Sequence, residues 1–366
     1  MKGIWLDVDP GHDDATALML AVNFPNVDLL GVSTASPPSL GKTHGNAAAS
    51  HTAINAARCL VAFGANSRIL VYPGASQPLL LPAKHDPEIH GEDGLGGVEG
   101  LPDPEDPRVS ALFAKTDDGS SVHAIEGMAK TIKSAWKNGQ GHKVTIISTG
   151  PMTNIALFVT VYSSLLEAVE EFVFMGGGVG MGNRSAVAEY NILCDPHAAQ
   201  IVLNVAVKKT MIPINVTHTA IVTREIHSRL LSPDSLFSVT SEHLPKAISP
   251  LRHTLSTIIS YFASAYASTF GFAEGPPLHD ALTIAYVAHP ELFSLTRHRV
   301  DIELTGTHSL GETIVDVWKY KSVDDTWGRD GKNCLVADNL DVKRFFELFL
   351  DAVMRCDTIS SLNSRS

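Results

Sequence analysis

Short apolar runs rich in β-branched residues recur along this chain, separated by stretches whose apolar positions fall three or four residues apart. Gly3–Val8, Leu29–Thr34, Ile69–Tyr72, Val144–Ser148, Phe172–Met175 and Thr210–Ile214 read as buried strands. Between them, Asp13–Asn23, Asn46–Phe63, Ser121–Trp136, Thr153–Glu167 and His197–Val205 carry helical periodicity. This alternation predicts an α/β fold, with an open, mostly parallel central sheet covered by helices on both faces. Such sheets bind ligands beyond the carboxyl ends of their strands. The later third is more helical, with Ala247–Thr269 and His279–Ala288, a β-hairpin region from Val300 to Tyr320, and a closing helix over Val342–Met354.

Neither an internal repeat nor a linker-like change of composition interrupts the pattern, so residues 1–366 are expected to form a single domain. The stretch from about 358 to 366 is expected to be a disordered tail. The polar, Pro/Gly-rich span Leu81–Pro107 is too long for an ordinary connection and is expected to be a loop near the site.

Composition narrows the function. A net charge of −11 and the absence of a basic run exclude the usual nucleic-acid binders, which concentrate Lys and Arg. The four cysteines, Cys59, Cys194, Cys334 and Cys356, form no Cys-x-x-Cys pair, so neither a zinc site nor a disulfide framework is expected. Asp7 and Asp9 interrupt what a signal peptide would need as an apolar segment, and no later stretch is apolar enough to span a membrane. The expectation is a soluble, cytoplasmic protein without a membrane partner.

The segment "LDVDPGHDDA", residues 6 to 15, places four aspartates directly after the first strand. The helix that follows can stabilise one carboxylate at its N-terminus by roughly 0.3–1 kcal/mol, too little to neutralise four. A hard divalent cation accounts for the cluster better, since such ions take carboxylate and carbonyl oxygens. The spacing is not that of an EF-hand: counted from Asp7, glycine falls at the fifth place and Leu18 at the twelfth.

Converging groups must come from elsewhere. "PPLHDALTIAYV", residues 276 to 287, offers His279 and Asp280 at the start of an apolar helix, where Asp280 also reads as a simple cap. "MGGGVGMGNRSAVAEYNILCDPHAA", residues 175 to 199, holds Asn183, Glu189 and Asn191, a set able to hydrogen-bond vicinal hydroxyls, but no dinucleotide fingerprint. "SPPSLGKT", residues 36 to 43, ends like a Walker A loop, yet Ser36 stands for its first glycine and Pro37 and Pro38 lack the needed donors.

Taken together these segments resemble the inosine-uridine-preferring nucleoside hydrolase family. The resemblance runs in order through "DVDPGHDDA", "HGN" (44–46), "HGEDGLGG" (90–97), "TGPMTNIA" (149–156), "GNRSAVAEYN" (182–191), "DPHAA" (195–199), "NVTH" (215–218) and "PPLHDA" (276–281). It implies that family's Rossmann-like fold and cleavage of the N-glycosidic bond of ribonucleosides, uridine and inosine being the expected substrates. It also implies Ca²⁺ bound by Asp9, Asp14, Asp280 and the backbone carbonyl of Thr149, with Asp9 as general base. By the same resemblance Asp13, Asn46, Asn183, Glu189 and Asn191 would hold the ribose, His279 would assist departure of the base, and Asp7 would support. Tyr266, in a helix similar to the one over the base in relatives, reads as a base contact or as core. A homodimer or homotetramer is the family's default.

One departure lies beside the ribose site. "ASPPSLGKT" follows Ser33-Thr34 where the family runs almost directly into "HGN", an insertion of roughly eight residues whose closure cost grows only with the logarithm of its length. Two other readings share the opening aspartates: a Mg²⁺-dependent phosphatase, and a Ca²⁺-dependent nucleoside- or sugar-binding protein without turnover.

Overall fold

The computed structural model describes residues 1–34, 46, 49–84, 86–233, 243–320 and 323–364. The insertion at 35–43 therefore lies outside the described residues. Eight strands form the main sheet among these residues: β1 (Lys2–Val8), β2 (Val27–Thr34), β3 (Val71–Pro73), β4 (Val144–Ser148), β5 (Val169–Met175), β6 (Lys209–Ile212), β7 (Phe293–His298) and, after a separate hairpin of β8 (Val300–Ile302) and β9 (Thr313–Val315), β10 (Cys334–Leu340). Their order is β3-β2-β1-β4-β5-β6-β10-β7. All neighbours are parallel except the last pair, β10 and β7.

Strand order reverses between β1 and β4, which pair directly, with Asp7 opposite Ser148. Connections leave the two strands in opposite directions there, so their carboxyl ends flank a crevice. Asp9 follows β1 and Thr149 follows β4 at that place.

Alternation along β1 divides its side chains between two apolar layers. Ile4, Leu6 and Val8 join the layer formed by helices His12–Asn23, Ala49–Ala62, Ala281–Ala288 and Val342–Ile359. Trp5 joins the other, with helices Ala124–Trp136, Thr153–Val161 and Pro196–Leu203. Each large apolar side chain so buried contributes about 1.5–3 kcal/mol. The single α/β domain with a mostly parallel, helix-covered sheet is the architecture expected from the strand and helix alternation.

Four points differ from the expectation or extend it. Strands β7 and β10 were not anticipated; β7 is a half-exposed edge whose "FSLTRH" lacks the continuous apolar run of the inner strands. The closing helix does not stop at Met354 but continues to Ile359, and a short turn over Ser361–Asn363 follows. The expected disordered tail is thus ordered over 358–364, because Ser360 Oγ donates to the Ala62 carbonyl (2.6 Å) and Asn363 Oδ1 accepts from the Leu251 amide (3.0 Å). The helix expected from Thr153 to Glu167 ends at Val161 and gives way to a 3₁₀ turn, Ser163–Ala168.

The span Leu81–Pro107 is pinned to the domain. Asn55 Nδ2 donates to the Asp93 carbonyl (2.7 Å) and Arg58 Nε to the Pro102 carbonyl (2.6 Å). Tyr261 packs on Gly97, whose φ of +68° and proximity to the ring exclude a side chain: a Cβ there would stand 2.6 Å from Tyr261. No helix among the described residues is long and apolar enough to cross a membrane, and all four cysteines are buried free thiols.

Candidate active site

Beyond β1 the chain turns through Pro10 and Gly11 into helix His12–Asn23, whose first turn carries Asp13 and Asp14. Asp14 is held on both oxygens: Oδ2 accepts from the Gly11 amide (2.9 Å) and Asn46 Nδ2 (3.1 Å), and Oδ1 from Thr149 Oγ1 (2.7 Å). Asp9 Oδ2 accepts from the Asn46 amide (2.9 Å), while its Oδ1 is buried without a hydrogen-bond partner among the described residues. Gly150 permits this placement, since a Cβ there would lie 2.3 Å from Asp9 Oδ1. Asp7 faces away, accepting from Ser33 Oγ and from Asn154 Nδ2 (2.8 Å), and burial pushes its carboxyl up to about 7.

Asp280, at the head of helix Ala281–Ala288, comes back to this point. Single oxygens of Asp13, Asp14 and Asp280 all lie within 4.8 Å of one another, and the three residues are 6%, 0% and 1% exposed. Asp13 Oδ1 is buried without a hydrogen-bond partner among the described residues. Burial, followed by the charge of Asp14, pushes Asp13 up to about 8. Burial and then the Asp13 charge hold Asp280 well above the carboxylate range, and burial and then Asp14 do the same to Asp9. Like charges withdrawn from water this closely demand a proton or a cation, and Asp13, Asp14 and Asp280 could hold a metal ion. Asp9 lies outside that tight group, in a small space shared with Asp7, Gly150 and Asn154.

A pocket opens onto the cluster through Asp13, Asp280, Asn46 and Thr149. The expected Asn183, Glu189 and Asn191 form its next wall. Glu189 caps helix Tyr190–Cys194, accepting from the amides of Gly177 (2.9 Å), Asn191 (3.0 Å) and Ile192 (3.2 Å). Burial still raises Glu189 to about 6. Asn191 Nδ2 donates to the Thr149 carbonyl (2.9 Å), the same carbonyl expected to face a cation. Asn183 Oδ1 accepts from the Tyr190 amide (2.9 Å). The loop is thus shaped by the side chains that were expected to meet a sugar.

His279 and Tyr266 close the far side. Tyr266 Oη lies 2.6 Å from His279 Nε2, and Thr217 Oγ1 lies 2.7 Å from Nδ1. Both ring nitrogens are therefore engaged. Burial holds His279 well below its ordinary pKa, so the ring is neutral near pH 7.

Further groups line the pocket. His90 and Asp86 come from the Leu81–Pro107 span, and Arg184, Tyr190 and Phe270 complete the wall. The glycine-rich "HGEDGLGG" was the signal for His90, whose Nδ1 accepts from the His12 amide (3.2 Å). Arg184 lies inside the "GNRSAVAEYN" stretch, but no local signal marks Asp86, with which it pairs across 98 positions of sequence.

Residues 4–347 match the family described as inosine-uridine preferring nucleoside hydrolase. A probable ribonucleoside hydrolase of Dictyostelium discoideum is 34% identical over 96% of this chain and 94% of its own length. A pyrimidine-specific ribonucleoside hydrolase, RihA of Photobacterium profundum, is 34% identical over 88% of this chain and 91% of its own. Among solved structures, a purine-preferring ribonucleoside hydrolase from Gardnerella vaginalis superposes with a TM-score of 0.77 at 24% identity, over 98% of this chain and 100% of the other, which speaks for the fold. With an ordered set of motifs, a buried carboxylate cluster at the sheet's switch point and relatives matching along nearly its whole length, the chain belongs to the inosine-uridine preferring nucleoside hydrolase family and is a ribonucleoside hydrolase.

Proposed function

We propose that this protein hydrolyses the N-glycosidic bond of uridine and inosine in a Ca²⁺-dependent reaction, with Asp9 as general base. The observation that carries the metal reading is the buried group of Asp13, Asp14 and Asp280, with Asp13 Oδ1 and Asp9 Oδ1 both lacking partners among the described residues. An all-oxygen donor set of this charge fits a hard divalent cation. Asp14 and Asp280 would hold it, with Asp9 and the Thr149 carbonyl as further ligands and Asp13 beside it. When bound, the ion supplies charge compensation for the carboxylates and a Lewis-acid centre.

The remaining steps belong to side chains. Asn46, Asp13, Asn183, Glu189 and Asn191 orient the ribose, so that the bond to the base breaks through an oxocarbenium-like state. Asp9 Oδ1 takes the proton of the attacking water, a contribution of about 10²–10⁴-fold for a positioned base. On the opposite side Tyr266 presents its hydroxyl to the leaving base. Thr217 Oγ1 at Nδ1 and Tyr266 Oη at Nε2 fix the His279 imidazole on the leaving base's side. His279 assists departure of the base, joined to Tyr266 as one hydrogen-bonded unit.

Ribose release from uridine and inosine tests this reading, measured with added Ca²⁺, after chelation, and for Asp9→Ala and Asp13→Ala. Metal-dependent release with Asp9→Ala reduced at least 10²-fold is expected. Near-normal turnover of Asp9→Ala would remove it as the base, and undiminished turnover after complete chelation would remove the metal.

A further inference from the structure

The outer wall of the pocket carries a pair of groups that the reaction as proposed does not use. Arg184, in the loop after β5, forms an ion pair through Nη2 with Asp86 Oδ2, from the Leu81–Pro107 span. The guanidinium carbon lies 5.5 Å from the centre of the Phe270 ring and 5.8 Å from that of Tyr190. Both charged side chains line the pocket and are only 19% and 10% exposed.

Their position relative to a nucleoside follows from the two kinds of wall. Carboxylates and amides, with Asp13, Asp280 and Asn191 among them, match a polyhydroxylated sugar. The aromatic groups Tyr266, Phe270 and Tyr190 match a planar heterocycle. Phe270 stands one turn beyond Tyr266 on helix Pro250–Phe270, their ring centres 5.0 Å apart, and Arg184 packs on it. The ion pair therefore belongs to the heterocycle's end of the pocket. It uses one nitrogen of Arg184 and one oxygen of Asp86. The other guanidinium N–H groups and Asp86 Oδ1 have no further hydrogen-bond partner among the described residues. A donor and an acceptor are left side by side.

We propose that Arg184 and Asp86 together read the edge of the base, selecting heterocycles that present a carbonyl next to a ring N–H. Uracil and hypoxanthine have this edge: Arg184 donates to the carbonyl, and Asp86 accepts from the ring N–H. Cytosine and adenine present an amino group next to an unprotonated ring nitrogen, so both contacts meet like polarity. A site built to hydrogen-bond a polar edge discriminates strongly because the wrong ligand leaves buried groups unpaired. This inference rests on the nucleoside hydrolase reading of the same pocket.

The test compares kcat/KM for uridine, 3-methyluridine and cytidine in the wild-type protein and in Asp86→Asn and Arg184→Gln. A uridine-to-cytidine ratio reduced at least tenfold in each variant is expected. In the wild-type protein 3-methyluridine, whose ring nitrogen cannot donate, should fall at least tenfold below uridine, and Asp86→Asn should shrink that gap. The wild-type comparison stands even where a variant fails to fold. Equal losses for all substrates, with the ratio within threefold of wild type, would reduce the pair to a tie between two loops and overturn the proposal. Wild-type protein that releases ribose from no nucleoside would count against the proposed function instead. Calorimetric titration then decides the edge reading, with a tenfold preference for uridine over cytidine supporting it and equal binding overturning it.

Discussion

The hydroxyl of Tyr266 stands 2.6 Å from Nε2 of His279, while Nδ1 of the same ring is taken by Thr217 Oγ1 at 2.7 Å. The imidazole is thus enclosed between two hydroxyls, and it lines the pocket together with Tyr266. Tyr266→Phe should lower kcat by about 10²-fold, the lower end of what a positioned acid supplies. His279→Ala should cost a similar factor and the double variant little more, since groups acting as one unit are not additive. Steady-state kinetics of the three variants check this. Independent, multiplying losses would show that the two residues act separately.

The carboxylate cluster should weigh against stability when no cation balances it. Asp280→Asn removes one of three buried acids whose oxygens approach within 4.8 Å. In chelator this variant should melt above the wild-type protein, although its activity is lost, a trade of stability for function. Saturating Ca²⁺ should instead raise the wild-type melting temperature by about 2–5 °C, through binding to the folded state alone. Scanning calorimetry with and without Ca²⁺ reads both effects. A variant that melts below wild type in chelator would show that the cluster is held by its hydrogen bonds rather than strained by its charge.

A pH effect on stability follows from His227, away from the pocket. Its Nε2 lies 2.7 Å from Ser256 Oγ, and burial, with Arg224 adding a smaller share, lowers its pKa from 6.5 to about 4. The unfolded chain therefore binds this proton more readily than the folded one. The contribution of His227 is fully present above pH 6.5, declines as pH falls toward about 4, and is constant below that. His227→Gln should reduce the stability lost between pH 7.5 and 4.5 by roughly 2–3 kcal/mol. Urea unfolding at the two pH values measures it. An unchanged pH dependence would mean that the ring is protonated in the folded protein.

Much of the architecture is written in local pattern. Continuous apolar runs such as Val144–Ser148 can be satisfied only inside a covered sheet, and strand β4 occupies that same range. The first aspartates follow such a run directly, so their place at a strand end was legible without coordinates. The edge strand β7 was not, because a half-exposed alternating segment carries no signal that its neighbour will be β10, which begins only at Cys334. Nor did composition reveal that the polar end of the chain docks, since Ser360 and Asn363 are ordered by backbone groups of distant segments.

For the site, residue type alone shows which chemistry is available: carboxylates at 9, 13, 14 and 280, amides at 46, 183 and 191, and an imidazole at 279. Tertiary structure decided how these groups are used. It drew Asp13, Asp14 and Asp280 into one tight group and left Asp9 beside Gly150. It set Tyr266 against His279 and joined Arg184 to Asp86. The reason is physical: residue type and strand or helix periodicity are local properties, whereas distance between side chains depends on which loops the sheet order brings to the same crevice. At the reversal between β1 and β4 those groups come from seven separate parts of the chain, and no single stretch of sequence encodes that meeting.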